Sequence, residues 1–216
     1  MDQNSTSVGI IGGTGPQGRG LALRWAVAGV SVTVGSREQA RAERTADELG
    51  HGVRGAANAE CAAGADVVVV TVPWDAHEKT LRDLEPHLRD RIVVDSVNPL
   101  GFDKQGPYAL DVAEGSAAQQ AAVLLPRSTV VAAFHHVSAV SLADLSVEDL
   151  GLDVLVLGED REAIARVIGL VDVLPGMRGI YGGRLRNAGQ VEALTANLVA
   201  INRRYKAHAG LRITDV

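Results

Sequence analysis

A chain of 216 residues, 46% hydrophobic but only 3% aromatic, can bury a sizeable core of Ala, Val, Leu and Gly, which excludes a peptide module and favours α/β packing. A formal charge of -5 weighs against nucleic-acid binding, which normally leaves a basic excess. The polar opening MDQNSTS has no apolar signal core, no apolar run approaches the roughly 20 residues of a membrane span, and the single cysteine cannot form an internal disulfide, so a cytoplasmic protein with no membrane or nucleic-acid partner is expected.

In chain order, the first six residues read as a frayed tail. Val8 to Gly12 is a short apolar run that stops at glycines, as a buried parallel strand does, and Gln17 to Ala28 follow as a helix. Val30 to Gly35 reads as a second strand, Glu38 to Leu49 as a charged helix ending at Gly50, and Asp66 to Val72 (DVVVVTV) as a continuous strand. Between them lies Cys61, in the Ala-rich helical context AECAAGA, which suits a small apolar packing position better than a reactive thiol. The unit then repeats with a helix over Ala76 to Leu88, a strand over Arg91 to Asp95, an Ala-rich helix over Ser116 to Leu125 and a strand over Thr129 to Ala133. The Gly- and Pro-bearing stretch NPLGFDKQGPYALDVAEG from Asn98 is too irregular for a helix and reads as a surface or site-covering loop. Asp153 to Leu157, Arg161 to Leu174 and Arg178 to Tyr181 add one more β-α-β step, and Asn187 to His208 form a long terminal helix.

This alternation calls for an α/β fold, a doubly wound parallel sheet of the Rossmann NAD(P)-binding kind with right-handed crossovers. Residues 1–182 are expected to form the dinucleotide-binding domain with its β-α-β extension, and residues 183–216 a small C-terminal helical segment.

Gly13, Gly15 and Gly18 satisfy GxGxxG directly after a strand and at the opening of a helix. The first glycine is expected to allow the sharp turn, the second to let a pyrophosphate approach the backbone, and the third to let helix and strand pack closely. The diphosphate then meets unpaired amides at the positive end of the helix, with Thr14 and Gln17 in the same loop. About 20 residues beyond the turn, where an NAD site carries an acidic residue, stand Ser36 and Arg37. A carboxylate there repels a 2'-phosphate, whereas a guanidinium donates two parallel bonds to phosphate and a serine hydroxyl a third. The expected ligand is NADP, with Arg41, one helical turn on, adding charge.

The motifs GGTGPQGRGLALRWA, VTVGSR, VVVTVPW, VVAAFHHVSA and the terminal NAGQVEALTANLVAINRRYKAHAGLRIT together resemble the F420-dependent NADP oxidoreductases, over nearly the whole chain. That family moves hydride between NADP(H) and the 5-deazaflavin coenzyme F420. The resemblance implies that Thr14, Ser36, Arg37 and Arg41 contact the adenosine phosphate and that Pro73 and Trp74 line the nicotinamide side. It further implies that His135, Val137, Ala139 and Thr195 lie beside the deazaflavin, with the segment Asp95 to Pro99, and Val97 within it, as ligand lining.

Direct transfer between two rings needs no protein nucleophile and no metal, in keeping with the lack of any Ser-His-Asp, zinc-spacing or paired-carboxylate pattern in the sequence. Of the adjacent His135 and His136, at most one is expected to face a ligand, His135 being favoured. Arg178, Arg184, Arg186, Arg203, Arg204 and Lys206 form a basic C-terminal third, which suits either the anionic tail of a deazaflavin or an ordinary solvated face. Leu194, Leu198 and Ile201 share one helix face, suited to the core or to a second subunit of a homodimer. Two other readings stay open. One is an NADP-dependent reductase of a small carbonyl or imine, with His135, Lys104 or Tyr108 as proton donor, and the other is a non-catalytic NADP-binding redox sensor.

Overall fold

The computed structural model describes residues 6–216; of the expected tail only Thr6 is seen, without regular structure, and residues 1–5 lie outside the described residues. Strands β1 (Ser7–Ile11), β2 (Ser31–Ser36) and β3 (Arg54–Ala57) alternate with helices α1 (Pro16–Val27), α2 (Gln39–Leu49) and α3 (Asn58–Ala63). Next come β4 (Val67–Val70), α4 (Trp74–Leu88) and β5 (Ile92–Asp95), the strand pair β6 (Leu100–Asp103) and β7 (Gly106–Ala109), then α5 (Ala117–Leu124), β8 (Thr129–Ala132) and α6 (Ala139–Ala143). The chain closes with β9 (Leu152–Gly158), α7 (Arg161–Asp172), β10 (Met177–Gly183), a 3-10 turn at Leu185–Asn187 and α8 (Ala188–Tyr205).

Eight strands form one sheet in the order β10-β9-β8-β5-β4-β1-β2-β3. All neighbours are parallel except β8 and β9, which pair antiparallel at Val131↔Gly158 and Ala132↔Leu157. A parallel neighbour needs a crossover that returns the chain to the opposite edge. The link from β8 to β9 carries only the five-residue α6, so β9 starts near the edge where β8 ends and runs back down.

The sheet is covered on both faces, and β4 shows why its sequence is an unbroken run of valines. Val67 and Val69 pack into one core with Leu21, Trp25 and Leu142, while Val68 and Val70 pack into the other with Leu81, Leu88 and Val191. Each such side chain contributes about 1.5–3 kcal/mol by leaving water. Cys61 belongs to this interior: it is 1% exposed, its thiol donates to the Thr33 carbonyl at 3.3 Å, and burial pushes it up to about 12.

The stretch expected as an irregular loop from Asn98 is instead an antiparallel hairpin, β6 with β7, separate from the main sheet. Its turn is closed by Asp103, whose Oδ1 accepts from the amides of Gln105 and Gly106. Two further elements had no expected counterpart. β3 is an edge strand of Arg, Gly and Ala, and α6 is held by the buried Arg24, whose guanidinium donates to the carbonyls of Ser141, Leu142 and Asp144.

Arg178 does not form part of a free basic rim. Its guanidinium grips the fully buried Asp153 carboxylate with two bonds of 2.7 and 2.8 Å and also donates to the Ile213 and Val216 carbonyls, fastening the C-terminal segment to the sheet. The Arg178 hydrogen bonds hold Asp153 down at about 2, below the ordinary carboxylate of about 4. Because the folded value is depressed, this stabilisation is complete above about pH 4 and is lost as pH falls through about 2. Arg178→Ala is expected to lower the urea midpoint of unfolding and to speed amide exchange over residues 210–216. The deficit should be constant near neutrality and shrink toward pH 2; a deficit independent of pH contradicts this account of the pair.

Candidate functional site

The carboxyl ends of β2, β1, β4, β5 and β8 lie side by side and level. Ile11 pairs with Val70, Val70 with Asp95 and Asp95 with Ala132, while Ile10 pairs with Val34 two residues before Ser36. At about 4.8 Å per strand, the edge from Ser36 to the segment after Ala132 spans about 19 Å, enough for an extended dinucleotide. The chain winds from β1 toward β3 on one side and from β4 toward β8 on the other, so β1 and β4 flank the point where the strand order reverses, the usual ligand crevice of such sheets.

The glycines divide their work somewhat differently from the expectation. The left-handed residue of the turn is Gly12, with φ +78, not Gly13. Gly13 is needed for space: a Cβ there meets the Ile10 carbonyl oxygen and Val34 Cβ at 2.8 Å. A Cβ on Gly18 lies 2.6 Å from Gly13 Cα, which is the close helix-to-turn packing expected. On Gly15 the nearest atom is the Gly12 carbonyl oxygen at 3.4 Å, so this glycine faces open space. No side chain caps α1, and the same holds for α2 and α4, which follow β2 and β4 at this edge. By contrast Ser116 caps α5 and Asp160 caps α7. The amides at the start of α1 are thus available to an anion.

Ser36 ends β2, 8% exposed, and its Oγ accepts from the Glu38 amide at 3.2 Å, leaving its own proton free to donate. Arg37 and Arg41 are exposed and, among the described residues, neither forms an ion pair. Beside them, just after β3, the buried Asn58 Oδ1 has no hydrogen-bond partner among the described residues. Thr14 is half-buried in the loop, and Gln17 Nε2 donates to the Phe134 carbonyl at 3.4 Å, joining the glycine loop to the segment after β8.

Pro73 and Trp74 lie just beyond the end of β4, Pro73 exposed and Trp74 half-buried at the first position of α4. After β8 the chain takes a left-handed step at Phe134 (φ +66), whose ring packs edge-on against Trp25 with centroids 5.4 Å apart. Both following histidines are 3% exposed. His136 Nε2 bonds the Asp153 carbonyl at 2.9 Å, whereas among the described residues neither ring nitrogen of His135 has a hydrogen-bond partner. Burial pulls His135 down to about 4 despite the nearby Asp95 charge, so its ring is neutral at pH 7. Val97 and Val137 point into opposite cores, so what they offer the edge is backbone. Ala139 is half-buried at the start of α6. Thr195, from α8, directs its hydroxyl at the His135 carbonyl (3.0 Å) and at Asn98 Oδ1 (3.3 Å), while Asn98 Nδ2 donates to the same carbonyl at 2.9 Å.

Directly beneath this edge lies a buried polar group that sequence reasoning did not single out. His77 is fully buried between Asp95 (2.7 Å) and Gln120 (3.0 Å), and Glu192 of α8 accepts from the Ala117 and Ala118 amides that open α5. Burial pushes Glu192 up to about 7 even though those amides favour its charged form. Of the basic C-terminal residues, Arg178 is consumed by Asp153 and Arg184 lies 3.6 Å from Glu159, while Arg186, Arg203, Arg204 and Lys206 are exposed.

The sequence profile of the family described as "NADP oxidoreductase coenzyme F420-dependent" matches residues 7–99. Over 97% of its length the chain is 38% identical to the F420-dependent NADP reductase of Methanothermobacter thermautotrophicus, covering 95% of that protein. It is 34% identical, again over 97% of its length and 98% of the relative, to the F420-dependent NADP reductase of Methanothermobacter marburgensis. A solved chain from Arthrobacter sp. FB24, provisionally described as an F420-dependent NADP-reductase, superimposes with a TM-score of 0.84 at 26% identity, covering 97% of this chain and 100% of that one. Matched end to end in sequence and in fold, this chain belongs to the family of F420-dependent NADP oxidoreductases.

Proposed function

We propose that the protein catalyses reversible hydride transfer between NADP(H) and the deazaflavin coenzyme F420, in which reduced F420 and NADP+ give oxidised F420, NADPH and a proton. The observation that carries this reading is the level carboxyl edge described above. Along it stand, in order, two uncompensated guanidinium groups, a glycine loop with free helix amides, an aromatic wall at Trp74, and a buried neutral histidine beside Thr195. Similarity to the named relatives over nearly the whole chain supports the same reading.

Bound together, the two coenzymes supply the chemistry themselves, with hydride passing between the nicotinamide C4 and the deazaflavin C5. The chain's residues bind, orient and exclude water. Gly13, Thr14, Gly15, Gln17 and Gly18 present the diphosphate with backbone and the start of α1. Ser36, Arg37 and Arg41 hold the 2'-phosphate. Pro73 and Trp74 set the plane of the nicotinamide side, and His135, Thr195 and the backbone of Val97, Val137 and Ala139 border the deazaflavin. Catalysis on this reading is near-attack placement, with the exchanging carbons about 3–3.5 Å apart in a dry slot.

Residues 183–216 serve in this proposal as a helical segment that completes the deazaflavin side through Thr195. The reading includes a homodimer, supported by the apolar side chains that α8 and the hairpin leave in water, Ile201 (40% exposed), Tyr205 (73%) and Phe102 (69%). Both coenzymes are soluble, which suits a cytoplasmic enzyme, and among the described residues no helix is long and apolar enough to cross a membrane.

Purified protein with NADPH is expected to turn over with oxidised F420 and not with FMN or a panel of small carbonyls and imines, followed by loss of NADPH absorbance; turnover only with a carbonyl or imine overturns the reading. Arg37→Ala is expected to raise KM for NADPH about 10- to 150-fold, the loss of a charge-assisted bond worth about 1.5–3 kcal/mol, with little change for NADH. Equal effects on both nucleotides contradict the phosphate assignment. Light scattering should give twice the chain mass; a monomer at micromolar concentration rejects the dimer.

A further inference from the structure

The buried His77–Asp95 pair has no part in the reading above, yet its hydrogen bonds constrain its protonation. Gln120 settles which way the imidazole faces. The Gln120 amide nitrogen lies 3.3 Å from Glu114 Oε2, and a carboxylate only accepts, so the amide oxygen is the atom 3.0 Å from His77 Nδ1. Nδ1 must therefore carry a proton. On the other side of the ring Nε2 lies 2.7 Å from Asp95 Oδ2, while Asp95 Oδ1 accepts from the Val97 amide at 3.0 Å. A neutral imidazole with its proton on Nδ1 places a lone pair against an ionised carboxylate at that distance, which is repulsive. The pair thus holds one more proton than a neutral ring with a free carboxylate, and on the ring that proton makes an imidazolium donating from both nitrogens.

The surroundings favour that state. Burial on its own works against the charge, but the Asp95 hydrogen bond and charge, the Gln120 oxygen and the nearby Glu192 outweigh it, so His77 is raised above its ordinary value. Asp95 faces it from β5, Gln120 from α5 and Glu192 from α8. His135, from the segment after β8, faces Asp95 and is neutral.

His77 lies one helical turn beyond Trp74 on α4, and the two rings are 5.4 Å apart between centroids and tilted by 31°. That separation is within the range, about 6 Å, over which a cation is held against an indole face. A line of contacts therefore runs from the last residue of β5 through the imidazolium to the indole at the crevice.

We propose that His77 is a positioning residue, locked by Asp95 and Gln120 so that it fixes the plane of Trp74 and with it the nicotinamide ring of bound NADP(H). The inference rests on the reading of Trp74 as the nicotinamide wall. It predicts that loss of the His77 proton at high pH frees the indole and weakens NADPH binding on the alkaline side. Asp95→Asn removes the partner charge while keeping the shape, so it should bring that weakening to lower pH.

Two measurements test it without F420. Nitrogen NMR of ring-labelled histidines in the full chain should show both His77 nitrogens protonated at pH 7; a neutral ring overturns the proposal. The NADPH dissociation constant, read by fluorescence from neutral pH upward until the fold is lost, should rise about five- to thirtyfold on the alkaline side. In Asp95→Asn, shown folded by circular dichroism, the rise should come at lower pH; in His77→Gln binding should be weak at every pH with no such step. An unchanged step in both variants overturns the proposal and leaves F420 turnover standing. Conversely, a shifted step in a protein that never reduces F420 supports the role of His77 and sinks the deazaflavin reading instead.

Discussion

The passage from β1 into α1 is the constraint on which the rest of the structure depends. Gly12 takes a conformation that side chains resist, Gly13 lies against the neighbouring strand, and Gly18 lies against Gly13 itself. These three contacts tie the start of α1 to the edge of the sheet at a fixed height. With no capping side chain there, the helix leaves its positive end over the crevice. Gln17, in the first turn, then reaches the Phe134 carbonyl and ties the glycine loop to the segment after β8. A larger residue at Gly13 or Gly18 displaces both ends together.

The opposite side of the crevice is built from polar contacts between elements far apart in sequence. α8 is fixed by Glu192, which takes the two leading amides of α5. One turn along the same helix, Thr195 reaches Asn98 after β5 and the His135 carbonyl after β8. Three segments that border the crevice are thereby held by one helix. Arg24 does similar work below, closing α6 against α1, and Arg178 closes the C-terminal segment against β9. Hydrogen bonds to Arg24 and Glu192 offset part of the cost of burying those charges, and Arg178, half exposed, neutralises the buried Asp153.

Much of the fold was legible because strands buried on both faces are plain apolar runs and glycines punctuate them. The glycine loop and the Ser36–Arg37 pair were legible because their chemistry depends on residue type and on spacing from one strand. What escaped notice depends on partners distant in the chain. β3 has no apolar signature and exists because α2 packs directly on Gly55. The hairpin hides behind Pro107 and its glycines, and α6 is too short to read without the guanidinium of Arg24 beneath it. Strand direction at β9 leaves no mark on composition. His77 and Glu192 look like ordinary solvated helix residues, since Asp95, Gln120 and the α5 amides that bury them lie 18, 43 and 75 residues away. The DSVNP segment was read as ligand lining, but its first residue turns inward to His77 instead.

On the proposed reading hydride passes between two coenzymes held along one sheet edge without a protein carrier, and isotope transfer tests that proposal most directly. NADPH carrying deuterium on a single face of C4, incubated with the protein and oxidised F420, should place the label at C5 of the reduced deazaflavin, a carbon that does not exchange with water. The opposite isotopomer should deliver protium. Label appearing in solvent, or equal transfer from both faces, contradicts the account.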